Sequence, residues 1–319
     1  MKTAEPYAHT RIVLPCLFLT IFSLPTFAET NLNIAIQNAR TACSGIDQSM
    51  HDMKVKAGIN TAVTSVGTVA GGVALGTGIA KYSVDKEQSE LANKVAKLIA
   101  EKSNIPIEKL EIADEAEFRD AIKRAVHSDA SIASDIQKIN ELEQKSKTLG
   151  NVRTGTLAAS TATNIAGTAI AATNKVDEGL EEKINKCIAS IKELSNVKLA
   201  ARIEKTADDN EIAIADKIIN ACRDYEYIDI TPINKRALGA AVSSGIGIGT
   251  GVVGTITSAV SNTDNNRHND KGYALNTTAN VMAGASTAAS ATATIFNATQ
   301  ISAIKRVAYV AEVCEGALK

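Results

Sequence analysis

Tryptophan is absent and aromatic residues make up only 3% of the 319-residue chain. A core that cannot be built on rings has to be built on Ala, Val, Ile, Leu and Gly, and a Trp belt at a membrane interface is excluded. Proline is nearly absent too: beyond residue 28 only Pro106 and Pro232 occur. Long helices can therefore run without a chain-imposed break. No excess of either charge exists, since the net charge is −1. That balance gives no basis for binding nucleic acid or for a polybasic membrane tether.

Catalytic and ligand-binding patterns are equally scarce. No phosphate-binding GK[ST] loop occurs. Gly249–Gly254 matches GxGxxG, but it lies inside an apolar Gly-rich run with no strand before it, so the dinucleotide-binding context is missing. His51, His127 and His268 are far apart and show no metal-ligand spacing. Carboxylates alternate with Lys on helix faces, where i,i+4 pairing explains them. Asn262–Lys271 carries acidic residues without the spacing of a calcium loop. No catalytic residue, cofactor, metal site or small-molecule substrate is expected, and the chain reads as a non-enzymatic protein.

The N-terminus reads as a secretory signal peptide over residues 1–28. Lys2 and Arg11 precede an apolar stretch, Ile12–Leu24, and Thr26-Phe27-Ala28 forms a small-residue cleavage site. Loss of Lys2, Arg11 and Glu5 would shift the net charge by one unit, to −2. Cys16 falls within the apolar stretch. Four cysteines remain: Cys43, Cys187, Cys222 and Cys314. An even count in an exported chain points to disulfides.

What the chain does have is an internal duplication. NIAIQNARTAC ends at Cys43 and EIAIADKIINAC ends at Cys222. Each is followed by basic residues (Lys54 and Lys56; Lys235 and Arg236) and then by two charge-free runs of small residues. In the first copy, residues 29–205, these runs are 57–80 and 154–174, and a short charged helix then carries Cys187. In the second, residues 206–319, they are 237–262 and 272–299, and a final helix carries Cys314. Between the paired runs the first copy holds a charged helical insertion, 84–150; the second holds only a short polar loop. Each copy opens and closes on a cysteine-bearing helix, so the expected bridges are Cys43–Cys187 and Cys222–Cys314.

Apolar residues recur at helical spacing outside the runs, as in Ile132, Ile136, Ile139 and Leu142, or Ile184, Ile188, Ile191 and Leu194. Inside them, Gly67 and Gly71, Gly72 and Gly76, Gly245 and Gly249, and Gly247 and Gly251 are four apart. Ile248, Val252, Ile256 and Val260 follow the same period. Glycines one turn apart let a neighbouring helix approach closely. This spacing resembles the glycine-zipper segments of envelope and membrane-active proteins, a likeness of packing that carries no functional residues across.

The expected fold is all-α: two tandem, disulfide-closed helical hairpins, the first with a charged helical insertion. The expected role is that of an exported cell-envelope protein acting through close-packed helices, by self-association or on an envelope partner. The alternative is a membrane-inserting or pore-forming protein, because each run is long enough to span a bilayer. The Ser, Thr and Asn content of the second and fourth runs weighs against that alternative. With the expected bridges, both runs of a copy span or neither does.

Overall fold

The computed structural model describes residues 32–319, except 112, 113, 264 and 267–269. The expected signal peptide and His268 lie outside the described residues. Within them the chain is all-helical, with no strand. Helix α1 (Leu32–Cys43) is followed by α2 (Ile46–Ser103), α3 (Ile107–Glu111), α4 (Glu115–Ser128) and α5 (Ser131–Thr173). Then come α6 (Glu178–Glu204), α7 (Asp209–Cys222), a 3-10 turn (Arg223–Tyr227), α8 (Thr231–Ser261) and α9 (Asp270–Leu318).

Local chemistry sets the ends. Gly45, at φ 76°, makes the corner between α1 and α2, a left-handed conformation that glycine adopts freely. Helix α2 stops at Asn104, also left-handed, two residues before Pro106. Asp114, Asp177 and Asp208 cap α4, α6 and α7 through side-chain oxygens that accept backbone N–H groups. Asp208 and Glu211 form a full capping box.

The helices are longer than the sequence pattern suggested. The charged insertion expected over 84–150 does not start as a helix of its own; its first part continues α2, which runs 58 residues through the first small-residue run. The insertion's last part belongs to α5, which passes through Gly150 into the second run. The fourth run and the Cys314 segment are one helix of 49 residues. No proline interrupts any of these joins, and one helix-interior glycine costs only about 1 kcal/mol, too little to break a well-packed helix.

Three layers stack along the long helices. At one end α1, α6 and α7 wrap the ends of α2, α8 and α9 around an apolar core that includes Ile36, Met50, Leu194, Ile218, Ile233 and Ile304. At the other end α4 folds onto the far half of α2 and the start of α5, burying Val95, Ile99, Ala121, Ala125 and Ile132. Between them α2, α5, α8 and α9 form a four-helix bundle. Helix α2 packs along α5 and α9, and α8 along the same two, so α2 and α8 occupy opposite corners. Asn262, where the second connector begins, donates to Asn151 Oδ1 at 2.8 Å. Both connectors therefore sit at the end away from the cysteines.

Candidate functional site

The middle bundle is the most unusual part of the molecule. Its buried positions repeat every three and four residues. In α2 they are Ala57, Asn60, Thr64, Gly67, Gly71, Ala74, Gly78 and Lys81. In α9 the same alternation runs unbroken from Gly272 to Leu318. A strict seven-residue repeat is the pattern of helices that coil around one another. Here the seam is not apolar. It is built from Gly, Ala, Ser, Thr and Asn, so the helices meet through small and polar groups.

Glycine permits that approach at some positions and not at others. A Cβ on Gly67 would lie 2.5 Å from Thr163 Oγ1, and one on Gly71 2.5 Å from Thr287 Oγ1 and 3.2 Å from its Cα. One on Gly247 would meet Asn164 Nδ2 at 2.5 Å, and one on Gly251 would strike Thr161. These four glycines are true contact points. Gly72, Gly76, Gly245 and Gly249 are not: nothing lies within 4 Å of a Cβ built on any of them. The expected packing role is corrected for these four. They share the i,i+4 spacing of the others but sit on the outer face. Gly78, Gly167 and Gly254, which the spacing did not single out, are contact points against Asn280, Thr64 and Met282.

Hydrogen bonds link the helices through the interior. Ser160 donates to the Gly67 carbonyl at 3.0 Å and Ser286 to the Gly247 carbonyl at 3.3 Å. Ser290 donates to Asn164 Oδ1 at 3.0 Å, Thr294 to Thr64 at 3.0 Å, and Asn60 to Asn297 Oδ1 at 2.9 Å. Gln300 donates to the Asn174 carbonyl at 2.7 Å. Asn164, Ser244 and Asn276 each keep one buried polar atom with no partner among the described residues.

Toward the connector end the interior becomes charged. Arg153 is fully buried; it donates to Ser258 at 2.8 Å, to Ser261 at 3.1 Å, to Asn280 at 3.0 Å and to Asn276. One turn further out Lys81 and Asp85 form a buried ion pair at 2.6 Å, and Ser146 donates to Asp85. Full burial of an arginine is rare and demands dense hydrogen bonding, which the serines and asparagines of α8 and α9 supply.

The outer surface reverses this order. Val66, Val69, Ile79, Ile165, Leu238, Ile246, Ile256, Val281 and Ile295 are each more than half exposed. Val252, Ile256 and Val260, from the apolar stripe of the third run, face outward. No Asp, Glu, Lys or Arg occurs within 57–80, 154–174, 237–262 or 272–299. The outer hydroxyls are turned back on their own helices: Thr77, Thr156, Thr250, Thr257 and Thr292 each donate to the carbonyl four residues earlier at 2.8–2.9 Å. The glycine spacing alone does not show this inversion; its signal in the sequence is a heptad of Gly, Ala, Ser, Thr and Asn.

At the cysteine end the structure joins Cys43 to Cys187 and Cys222 to Cys314. The Sγ atoms of Cys43, Cys187 and Cys314 all lie within 4.8 Å of one another, so the two bridges touch. As disulfides they offer no thiolate to a metal. Tyr225 is buried beside this cluster; burial first, then Glu315 and Asp47, push its phenol well above the usual range. His51, on α2, and His127, at the end of α4, stand at opposite ends of the molecule. Two stretches, in Leu32–Ser103 and Thr231–Ser261, are long and apolar enough to cross a membrane, and only 28% and 39% of their apolar windows are buried. The chain matches no known family model, no curated protein and no solved structure.

Proposed function

We propose that the protein is a non-enzymatic, exported membrane protein, built as two tandem disulfide-closed hairpins whose four small-residue segments cross a bilayer together. The observation that carries this is the inverted bundle: over a band free of charge, Ser, Thr and Asn lie inside and Val and Ile outside, and the buried charges Lys81, Asp85 and Arg153 sit just beyond the band at its connector end. A water-soluble bundle buries its large apolar residues; a bundle in lipid has no reason to, and associates through small residues and interhelical hydrogen bonds instead. At about 1.5 Å per residue the 24 residues of 57–80 cover about 36 Å, enough for a hydrocarbon core of about 30 Å.

The second and fourth runs, poor in Val and Ile, fit the same reading. Their buried Ser and Asn side chains point inward, the outer face of the second is mainly Ala and that of the fourth Ala and Thr with Val281 and Ile295, and outer Thr hydroxyls such as those of Thr156 and Thr292 are satisfied by their own backbone. A lipid-facing helix needs that satisfaction. The bridges close each hairpin at one end, which suits an oxidising compartment on that side. The tight Gly–Thr and Gly–Asn contacts along the axis favour a packed scaffold over a standing pore.

Membrane fractionation tests this. After washing with alkaline carbonate and with high salt, the full chain should stay in the membrane pellet. Quantitative release by carbonate alone would leave the envelope-scaffold role without insertion.

A further inference from the structure

At the cysteine end of the charge-free band, the first charged residue flanking each run is basic. Lys56 precedes the run of α2, Lys175 follows that of α5, Lys235 and Arg236 precede that of α8, and Lys305 and Arg306 follow that of α9. Five of the six are exposed; Arg236 is half-buried and donates to the Thr299 carbonyl at 2.9 Å. Among the described residues none of the six forms an ion pair, whereas several lysines of the connector do, as in Lys94–Asp135 and Lys138–Glu87. Acidic residues beyond the ring along the chain have backbone partners: Asp177 caps α6, and Asp229 accepts from the Thr231 amide and feels the charge of Lys235 without forming a salt bridge to it. Arg236 and Arg306 also line a cleft of about 600 Å³ together with Pro232, Val307, Asp224 and Asp229.

A ring of unpaired cations at the rim of an apolar belt needs an explanation. Lys and Arg that set membrane topology gather on the cytoplasmic side. This ring lies at the end that carries the disulfides, which form in oxidising compartments. Orientation during insertion therefore does not account for it. Charge complementarity and continuity with the belt do.

We propose, resting on the membrane-inserted reading, that this collar binds the headgroups of anionic phospholipids and fixes the depth of the bundle in the bilayer. Each exposed cation contributes about a fivefold gain in affinity for an anionic surface at low salt.

The test uses the full, oxidised chain in vesicles of phosphatidylcholine alone and of phosphatidylcholine with phosphatidylglycerol. Wild-type protein should partition more strongly into the anionic vesicles, and added salt should weaken that preference. Lys175→Gln/Lys235→Gln/Lys305→Gln should reduce the preference by on the order of 100-fold, while Lys86→Gln/Lys123→Gln/Lys138→Gln, on the connector, should leave it intact. Equal partitioning into both vesicles, or equal loss from both triple variants, would overturn the collar. Failure to insert into either vesicle would overturn the membrane reading instead, so the two failures are separable.

Discussion

Two glycines on α2, one residue apart, should respond oppositely to the same change. A Cβ at Gly71 would lie 2.5 Å from Thr287 Oγ1, 3.2 Å from Thr287 Cα and 3.3 Å from its Cβ. The hydroxyl could rotate away, but the backbone of α9 could not, so Gly71→Leu must push α2 and α9 apart. Overpacking of this kind costs about 1–3 kcal/mol. It would also loosen the neighbouring contacts of Gly67 and Gly78. For a chain of this size that lowers Tm by several degrees, at roughly 2–4 °C per kcal/mol. At Gly72, on the outer face, a Cβ meets nothing within 4 Å, and Gly72→Leu replaces a poor helix former, a gain of up to about 1 kcal/mol. Gly251→Leu and Gly249→Leu repeat the contrast on α8. The assay is thermal unfolding of the detergent-solubilised, oxidised protein by circular dichroism. Equal loss from the inner and outer substitutions would refute the assignment of faces, and with it the heptad seam.

Asp85→Leu removes the carboxylate facing Lys81 and Ser146 and leaves Arg153 without its nearest negative charge, so it should cost about 3–5 kcal/mol; adding Lys81→Met should restore much of that, as read by denaturant unfolding. Replacing either bridge by serines, Cys43/Cys187 or Cys222/Cys314, should cost about 4–5 kcal/mol on the chain-entropy model, nearly alike because sequence separations of 144 and 92 enter only as logarithms. Non-reducing peptide mapping should recover only these two linked pairs. Tyr225→Phe should cost little, since the buried hydroxyl has no partner among the described residues. Because the folded state holds the phenol neutral above its ordinary value of 10.0, wild-type stability should fall as pH rises above about 10 and the unfolded chain ionises first. The Phe variant should lose that component of the alkaline decline.

Much of the architecture is written plainly in the residues. The helical period of Ile184, Ile188, Ile191 and Leu194 places α6 on the apolar core, and the mirrored positions of the cysteines give the pairing the structure contains. The corner at Asn104–Pro106 follows from proline chemistry. Three features were hidden. Helix continuity through residue 85 and through Gly150 depends on packing along the whole length, not on any local signal. The choice between Gly71 and Gly72 is set by the register of α2, fixed at a distance by Met50 and Met53 at one end and Asp85 and Gln88 at the other. The inversion of the bundle was masked because Ser, Thr and Asn lower the apparent hydropathy of α5 and α9 whether they face lipid or each other. Their partners on neighbouring helices, such as Asn164 with Ser290, are 126 residues apart and cannot be read from either segment alone.

The absence of tryptophan makes the central claim directly measurable. Single tryptophans placed at Val66, Ile165, Ile246 and Ile295 put one probe on the outer face of each bundle helix. In vesicles containing lipids brominated along the acyl chain, a bundle inserted through all four helices predicts strong quenching at all four positions and weak quenching of a tryptophan at exposed Phe118 on the connector. Unquenched probes at Ile165 and Ile295 would contradict it, because α5 and α9 would then lie outside the lipid.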